Sequence, residues 1–275
     1  MRIPDQYSSG IARGCGLKHK EYYPGQSLFI INFGSQLKNK MSVRIECPGC
    51  PNKKCFVQSH CTSEWVQIIN RSKEQSVYQK GQQLFREGDR VSGVFFIQHG
   101  KVKVVTNGLN GKEQIVRLAS DAYIIGHCAS EGERYPIGAI ALEESTVCFL
   151  SNELLKSAYL ENPEFTLAFM YYYSAELRKM ESRLKYVAQM SIREKVAEAL
   201  LYIYDIFGAD ETDHTLNVTM SRQELADLVG TNAEQVTRQL SLFQNENIIS
   251  KQGKDLQMLR VDLLRKMVDS YKQTD

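Results

Sequence analysis

Between residues 77 and 150 the apolar residues form short runs that are separated by turns containing glycine. The runs lie at residues 82–85, 94–97, 101–105, 114–118 and 146–150, and the turns include Gly81, Gly88, Gly100 and Gly108. Several short strands that follow one another closely and are joined by glycine turns are typical of small barrels. We therefore predict a small, closed β-structure for this region.

After residue 150 the apolar residues change to a helical period. A short helix is predicted from Ser151 to about residue 160, and Asn162-Pro163 is predicted to cap and begin a long helix. Apolar side chains then recur at alternating intervals of three and four residues, at Met170, Tyr173, Leu177, Met180, Leu184 and Val187. This spacing is the a/d seam of a coiled coil. A helix lying on its own domain would look similar, but the charged residues between these positions leave only a narrow apolar stripe, which favours a parallel homodimer.

The C-terminal part contains three capping boxes, each of which predicts the start of a helix. They are Ser191–Glu194, Ser221–Glu224 and Thr231–Glu234, and Gly208 ends the helix that follows the first box. The second and third boxes are separated by Gly230, and two short helices joined by a glycine turn predict a helix-turn-helix. Residues 248–259 are predicted to form a β-hairpin and residues 261–271 a final helix. We also expect a short strand at 217–219 and a short helix at 62–69, capped by Ser63.

Four cysteines lie within fifteen residues, at Cys47, Cys50, Cys55 and Cys61. Thiolates at this spacing can converge on one soft metal centre, either a tetrahedral zinc ion or an iron–sulfur cluster. Disulfide bonds are the alternative, and they require an oxidising compartment. The chain has no apolar leader segment, so we expect a cytoplasmic protein whose thiols are reduced.

Composition and charge leave the class of protein open but exclude a membrane span. The 275 residues are 43% hydrophobic and 24% charged, with a net charge of +2, which is ordinary for a globular protein. No apolar run reaches the length of a membrane span. We find no paired acid and base, nucleophile triad or phosphate loop, and we therefore do not expect an enzyme.

A barrel, a long helix and a winged helix-turn-helix, in this order, resemble the CRP/FNR superfamily of bacterial transcription regulators. The most specific motif is the stretch 220–238, which is similar to the DNA-binding signature of that family. The resemblance implies an α+β fold with a cyclic-nucleotide-binding-like β-roll, and it implies double-stranded DNA and RNA polymerase as partners. The expected parts are an N-terminal extension, disordered, at 1–44, a cysteine-rich segment at 45–62, the β-roll sensor at 63–160, the dimerisation helix at 161–189 and the DNA-binding domain at 190–275.

Within this superfamily a few positions decide which ligand is sensed. Cyclic-nucleotide members hold the phosphate with a Gly-Glu pair and an arginine, whereas here Gly126 is followed by His127 and no arginine precedes Ala139. A phosphate would lose a charge-assisted partner worth about 1.5–3 kcal/mol, so no cyclic nucleotide is expected.

The FNR branch instead has three cysteines before the barrel and a fourth inside it, which together hold a 4Fe–4S cluster. Cys47, Cys50, Cys55 and Cys148 match this pattern, although the gap between Cys50 and Cys55 is one residue shorter. Cys61 is an alternate ligand that could replace Cys55 or Cys148. Three further alternatives stay open: a structural zinc site at Cys47, Cys50, Cys55 and Cys61, a thiol-redox site without metal, and an unknown small molecule in the β-roll.

The resemblance also assigns the residues that would contact DNA. Glu234 can accept from cytosine, Arg238 can donate to guanine, and Thr237 stands where FNR-like proteins have a serine. This arrangement implies a palindrome of TTGA-like half-sites. Residues expected to help, mainly by contacting phosphates, are Ser221, Arg222, Gln223, Thr231 and Gln235.

Overall fold

The computed structural model describes residues 44–108, 111–126 and 132–272, and its first half is a barrel made of two antiparallel sheets. One sheet has the strand order β1-β8-β3-β6 and the other has the order β2-β7-β4-β5. The strands are β1 (Glu74–Tyr78), β2 (Gln83–Phe85), β3 (Gly93–His99), β4 (Val102–Asn107), β5 (Glu113–Ala119), β6 (Ile124–Ile125), β7 (Gly138–Ala141) and β8 (Ser145–Ser151).

Helices precede and follow the barrel, and a small hairpin lies near the C-terminus. The helices are α1 (Phe56–His60), α2 (Ser63–Ser72), α3 (Asn152–Glu161), α4 (Pro163–Gln189), α5 (Ile192–Phe207), α6 (Arg222–Val229), α7 (Ala233–Asn245) and α8 (Val261–Lys272). The hairpin pairs β9 (Ile249–Gln252) with β10 (Asp255–Met258). The α+β fold, with a β-roll, a long helix and a winged helix-turn-helix, is thus confirmed. No described helix is both long and apolar enough to cross a membrane.

Most of the predicted helix starts are confirmed. Asn162 caps the 27-residue helix α4, with Pro163 in its first turn, and its side-chain oxygen accepts from the Phe165 amide at 3.4 Å. Ser191 and Ser221 both form complete capping boxes. Gly230, between α6 and α7, has φ 77°, a left-handed conformation that glycine adopts without strain.

Three local predictions were wrong. Thr62, not Ser63, caps α2, because Ser63 is already helical and the Thr62 hydroxyl accepts from the Trp65 amide. Asn232, not Thr231, caps α7, because its side-chain oxygen lies 2.9 Å from the Gln235 amide and Glu234 is left exposed. Residues 217–219 do not form a strand. The Asn217 side chain instead donates to the Phe207 carbonyl at the end of α5, and only isolated bridges form, at residues 215 and 216.

Successive side chains of β8 point alternately into two different hydrophobic clusters. Val147 and Phe149 face the interior of the barrel, where the rings of Phe85, Phe95 and Tyr135 pack against each other. Cys148 and Leu150 face outward, because successive side chains of a strand point to opposite faces of a sheet. This outer face is covered by α2, α3 and the first turns of α4.

The second half of α4 connects the barrel to the C-terminal domain. Glu176 of α4 forms a buried ion pair with Arg117 of β5 at 2.9 Å. Arg183, two turns later, donates to the carbonyl of Val116 in the barrel and to that of Leu228 in α6. One hydrophobic cluster combines barrel residues such as Ile115 and Leu118 with the cores of α5 to α8.

One face of α4 is apolar and exposed. Met170 is 62% exposed, Leu177 59% and Leu184 75%, and Tyr173 and Met180 belong to the same stripe. Leu167, which the sequence analysis did not include, extends it towards the start of the helix, and Tyr171 adds an exposed ring beside Met170. The side chain of Val187 lies outside the described residues, as do residues 1–43 of the predicted N-terminal extension.

The buried pair between Arg117 and Glu176 leads to a prediction about stability. Glu176→Ala leaves the Arg117 guanidinium buried without its countercharge, and we expect the free energy of unfolding to fall by about 3 kcal/mol. Urea denaturation at a fixed protein concentration measures this change. Glu211→Ala, at an exposed loop carboxylate, is the control and should change the free energy by less than about 0.5 kcal/mol.

The Glu176 carboxylate also makes the free energy of unfolding depend on pH. Burial raises the pKa of Glu176, but hydrogen bonds and charges from Lys179 and Arg117 outweigh this effect, so the net pKa is lowered. Its stabilising contribution is therefore present above the ordinary glutamate pKa of about 4.3 and is lost as the pH falls through the folded-state pKa. Equal stability of the Ala variant and the native chain at pH 7 would contradict this role for the pair.

Candidate metal centre and nucleic-acid interface

The cysteine-rich segment forms a tight turn followed by the one-turn helix α1. The Cys50 amide donates to the Cys47 carbonyl at 3.1 Å, which closes the turn, and Cys55 directly precedes α1. Cys47 and Cys50 are each only 5% exposed, although they lie in a polar stretch of sequence. The aromatic ring of Phe56 packs edge-on against Phe165 and Phe169 of α4, which holds the segment against that helix.

Four of the five predicted cysteine ligands line one cavity. They are Cys47, Cys50 and Cys55 from the N-terminal segment and Cys148 from the outer face of β8. The rest of the lining is mainly apolar and includes Phe56, Val57, Ile69, Phe96 and Leu150. Cys61 packs against the same hydrophobic cluster but lies outside the lining of this cavity.

Burial raises the pKa of three thiols of this region and so favours their protonated form in the absence of a metal. It raises the pKa of Cys148 to about 11 and that of Cys61 to about 12, and it also raises the pKa of Cys55. The neighbouring thiols add to the shift in each case, because two thiolates close together repel each other. The Lys73 ammonium acts in the opposite direction on Cys148. Binding of a cation at this cavity would therefore release protons.

Polar side chains that the sequence analysis missed hold the cysteine segment on the barrel. The Asn52 amide donates to the carbonyls of Ile97 and Gln98 at the end of β3, and Lys73 donates to the Ile45 carbonyl at 2.8 Å. Asn70 accepts from the Cys47 amide at 2.7 Å, and Gln98 donates to the Cys50 sulfur at 3.6 Å. A sequence signal exists only for Gln98, which is a polar residue in the otherwise apolar strand β3.

The donor set fits a thiolate-bound cluster. Within residues 44–108, 111–126 and 132–272, no group of three or more His, Cys, Asp and Glu side chains is arranged to hold a metal ion. The four thiols line one cavity, and in an iron–sulfur cluster the thiolates are distributed around a polynuclear centre. The softness of the thiols, the burial of Cys47 and Cys50 and the hydrogen bond from Gln98 to a sulfur are features of such sites.

The predicted DNA-contacting residues lie on one exposed face of α7. Val236, Leu240 and Phe243 are buried, whereas Glu234, Thr237 and Arg238 are exposed, as helical periodicity requires. In the preceding helix α6, Gln223 is exposed and Arg222 is half-buried, and Ser221, which caps this helix, is exposed. Thr231 and Gln235, at the start of α7, are also half-buried. No ion pair in the described part of the chain involves Glu234 or Arg238.

Two lysines of the barrel reach the helix-turn-helix. The Lys103 ammonium lies 2.8 Å from a Glu113 oxygen and 3.2 Å from an oxygen of Glu224 in α6. Lys112 donates to the Thr231 carbonyl at 2.6 Å, in the turn between α6 and α7. The position of α6 is thus coupled to strands β4 and β5 by charge as well as by apolar packing.

The chain matches known proteins over both of its folded parts. Residues 75–162 match the family described as Cyclic nucleotide-binding domain, and residues 194–267 match the Crp-like helix-turn-helix domain. The fumarate and nitrate reduction regulatory protein of Vibrio cholerae is 28% identical over 217 residues, which are 78% of this chain and 87% of that protein. The transcriptional activator protein Anr of Pseudomonas protegens is 28% identical over 181 residues, which are 66% of this chain and 74% of that protein.

Solved structures share the fold at lower identity. FixK2 from Bradyrhizobium japonicum superimposes with a TM-score of 0.63 at 19% identity, covering 71% of this chain and 96% of that one. The c-di-GMP responsive global regulator CLP of Xanthomonas campestris gives 0.63 at 18% identity, covering 72% and 99%.

Fold, domain order and relatives together define a DNA-binding transcription regulator. The chain carries the two domains of CRP/FNR regulators and is similar to members of that family. The resemblance noted in the sequence is therefore confirmed, and so is the prediction that the chain is not an enzyme, because these relatives are transcription regulators.

Proposed function

We propose that this regulator senses oxygen, nitric oxide or cellular redox state through a 4Fe–4S cluster held by Cys47, Cys50, Cys55 and Cys148. The single observation that carries the proposal is that the three clustered thiols and the distant Cys148 line one largely apolar cavity. A bound cluster would supply a redox-active centre that oxidants can attack. Cys148 belongs to the rigid sheet and the other three thiols to the N-terminal segment, so this ligand set links the two parts.

The residues that line the cavity favour an iron–sulfur cluster over a zinc site or a small effector. A local zinc site would use Cys61, which lies outside the cavity lining, in place of Cys148. A small effector inside the β-roll would have to displace the packed rings of Phe85, Phe95 and Tyr135, which fill the barrel interior. His127, where a cyclic-nucleotide protein has its phosphate-binding glutamate, lies outside the described residues.

The contacts around α4 supply a route from the cavity to DNA. Phe56, next to Cys55, packs on the first turns of α4, and Arg183 near its other end bonds to β5 and to α6. A change in the position of the cysteine segment would therefore alter the packing of α4. The same helix carries the exposed stripe that we propose as the homodimer seam, so the distance between the two DNA-binding domains would change with it.

We further propose that Glu234, Thr237 and Arg238 read the bases of a TTGA-like half-site. The support is their shared exposed face on α7, on the side opposite to the buried Val236 and Leu240. Ser221, Arg222, Gln223, Thr231 and Gln235 lie in α6 and at the start of α7, where residues of a helix-turn-helix meet phosphates. RNA polymerase is the expected partner at the promoter.

We propose one role for each part of the chain. Residues 45–62 hold the cluster, residues 63–160 form the sensor barrel, residues 161–189 form the dimer helix and residues 190–275 bind DNA.

Anaerobic purification tests the ligand set. We expect a brown protein with about four irons per chain that bleaches in air, and we expect Cys148→Ser to lose the iron and the colour. Cys61→Ser is the matched control and should keep both. Absorption spectra with iron and sulfide analysis give the result. Retention of the cluster by Cys148→Ser together with its loss from Cys61→Ser would move the fourth ligand to Cys61, and a colourless protein that contains zinc would refute the sensing proposal.

Arg238→Ala tests the recognition helix. Loss of a bidentate contact to guanine should relax the preference at one base pair of each half-site by about 1–3 kcal/mol. Competition binding with single-base variants of the site measures this. Arg222→Ala, at a proposed phosphate contact, should instead weaken all sequences alike and reduce the salt dependence by about one unit. If Arg238→Ala kept the base preference of the native chain, Arg238 would not be a base-contacting residue.

The double variant Leu177→Glu, Leu184→Glu tests the seam. Each leucine should contribute about 1.5–3 kcal/mol when it is buried against a partner helix, so two glutamates at these positions should give a monomer. Sedimentation velocity with the full chain is the measurement, and Arg178→Gln, on another face of α4, should remain a dimer. A dimeric double variant would place the interface elsewhere.

A further inference from the structure

Lys73 is a buried cation next to the four thiols. It lies between α2 and β1, it is only 5% exposed, and it lines the same cavity as Cys47, Cys50, Cys55 and Cys148. Its position follows from the register of the sheet. Gln75 pairs with Cys148, and Lys73, two residues before Gln75, lies on the same outer face because side chains alternate along the chain.

No described carboxylate forms an ion pair with Lys73. Among the described residues, its ammonium group donates one hydrogen bond, to the Ile45 carbonyl at 2.8 Å. An ammonium group has two further N–H donors. A buried charge without a countercharge costs free energy, and proteins keep such groups where another charge compensates for them.

The cavity itself supplies the compensating charge when its thiols are ionised. Four thiolates carry four negative charges, which exceeds the positive charge of a 2+ centre. The occupied site is therefore anionic as a whole, whereas the protonated thiols are neutral. Lys73 faces this charge from the barrel side, while the neutral Gln98 amide donates to the Cys50 sulfur.

We propose that Lys73 is the built-in countercharge of the thiolate-bound centre and sets its reduction potential. The inference rests on the proposed function, because it concerns the same cavity. One-electron reduction by an external reductant adds one negative charge to the cavity, and no bond forms or breaks. A nearby positive charge favours the more negative, reduced state, and net charge near a cluster is one determinant of its potential. Lys73 is a positioning residue in this scheme and not a ligand.

The test compares three variants of the full chain, purified without oxygen. Lys73→Met removes the charge but keeps a flexible chain of similar length, Lys73→Arg keeps the charge, and Lys54→Met removes an exposed lysine beside Cys55. The readouts are the midpoint potential in a dithionite titration with mediators, the iron content, and the melting temperature of the iron-free protein.

We expect Lys73→Met to disfavour reduction about tenfold, which corresponds to a midpoint potential about 59 mV lower for one electron. Lys73→Arg should restore most of the shift, and Lys54→Met should leave the potential unchanged because solvent screens an exposed charge. The iron-free Lys73→Met protein should melt no lower than the native chain, since it lacks an uncompensated buried charge.

Two results would overturn the inference without affecting the proposed function. One is full iron content with an unchanged potential in Lys73→Met. The other is loss of iron from both Lys73→Met and Lys73→Arg with a lower melting temperature of the iron-free proteins, which would assign Lys73 a packing role. Loss of iron from Lys73→Met alone, with unchanged melting of the iron-free protein, supports the countercharge. A native chain that binds no iron would refute the proposed function itself.

Discussion

The two-residue period of strand β8 is the constraint on which the candidate site depends. Val147 and Phe149 must point into the barrel to fill its core, and this forces Cys148 and Leu150 outward. The outer face of this sheet is apolar at Phe96 and Leu150 and has to be covered. The cysteine segment and α4 cover it together, so one packing requirement brings Cys148 next to Cys47 and Cys50 and sets the position of the long helix.

Helix α4 therefore has three separate tasks along its length. Its first turns pack aromatic side chains around Phe56, its middle holds the buried pair of Glu176 with Arg117, and its last turns contact the barrel and α6 through Arg183. Its remaining face is the exposed apolar stripe. Because a packed helix moves largely as a rigid element, a shift at one of these three contact regions also displaces the other two. This rigidity is the basis of the proposed coupling between the cysteine site and the helix-turn-helix.

The sequence was sufficient for those features that local periodicity and capping determine. Strands β2, β3, β4, β5 and β8, the long helix and the capping boxes at Ser191 and Ser221 were predicted from spacing, whereas strands β1, β6 and β7 were not predicted. Polar contacts between distant segments were not predicted, because nothing in the residues around Asn52 or Lys73 indicates which carbonyl lies opposite in the fold. The cap of α7 was misassigned for a local reason. Thr231 and Asn232 are both good capping residues, and it is the Asn232 side chain that accepts from the first turn of the helix.

The hydrogen bonds of the cysteine segment limit how a bound centre could act. Asn52, Asn70 and Lys73 already hold the segment on the barrel, and such bonds contribute about 0.5–1.5 kcal/mol each. Ligation by four thiolates is stronger, since structural zinc sites reach about 10–16 kcal/mol. Loss of the centre would remove the larger part of this attachment and would leave the polar part in place. The position of the segment would then depend on these hydrogen bonds alone. A segment that is strongly attached in one state and weakly attached in the other is what a ligand-controlled equilibrium requires.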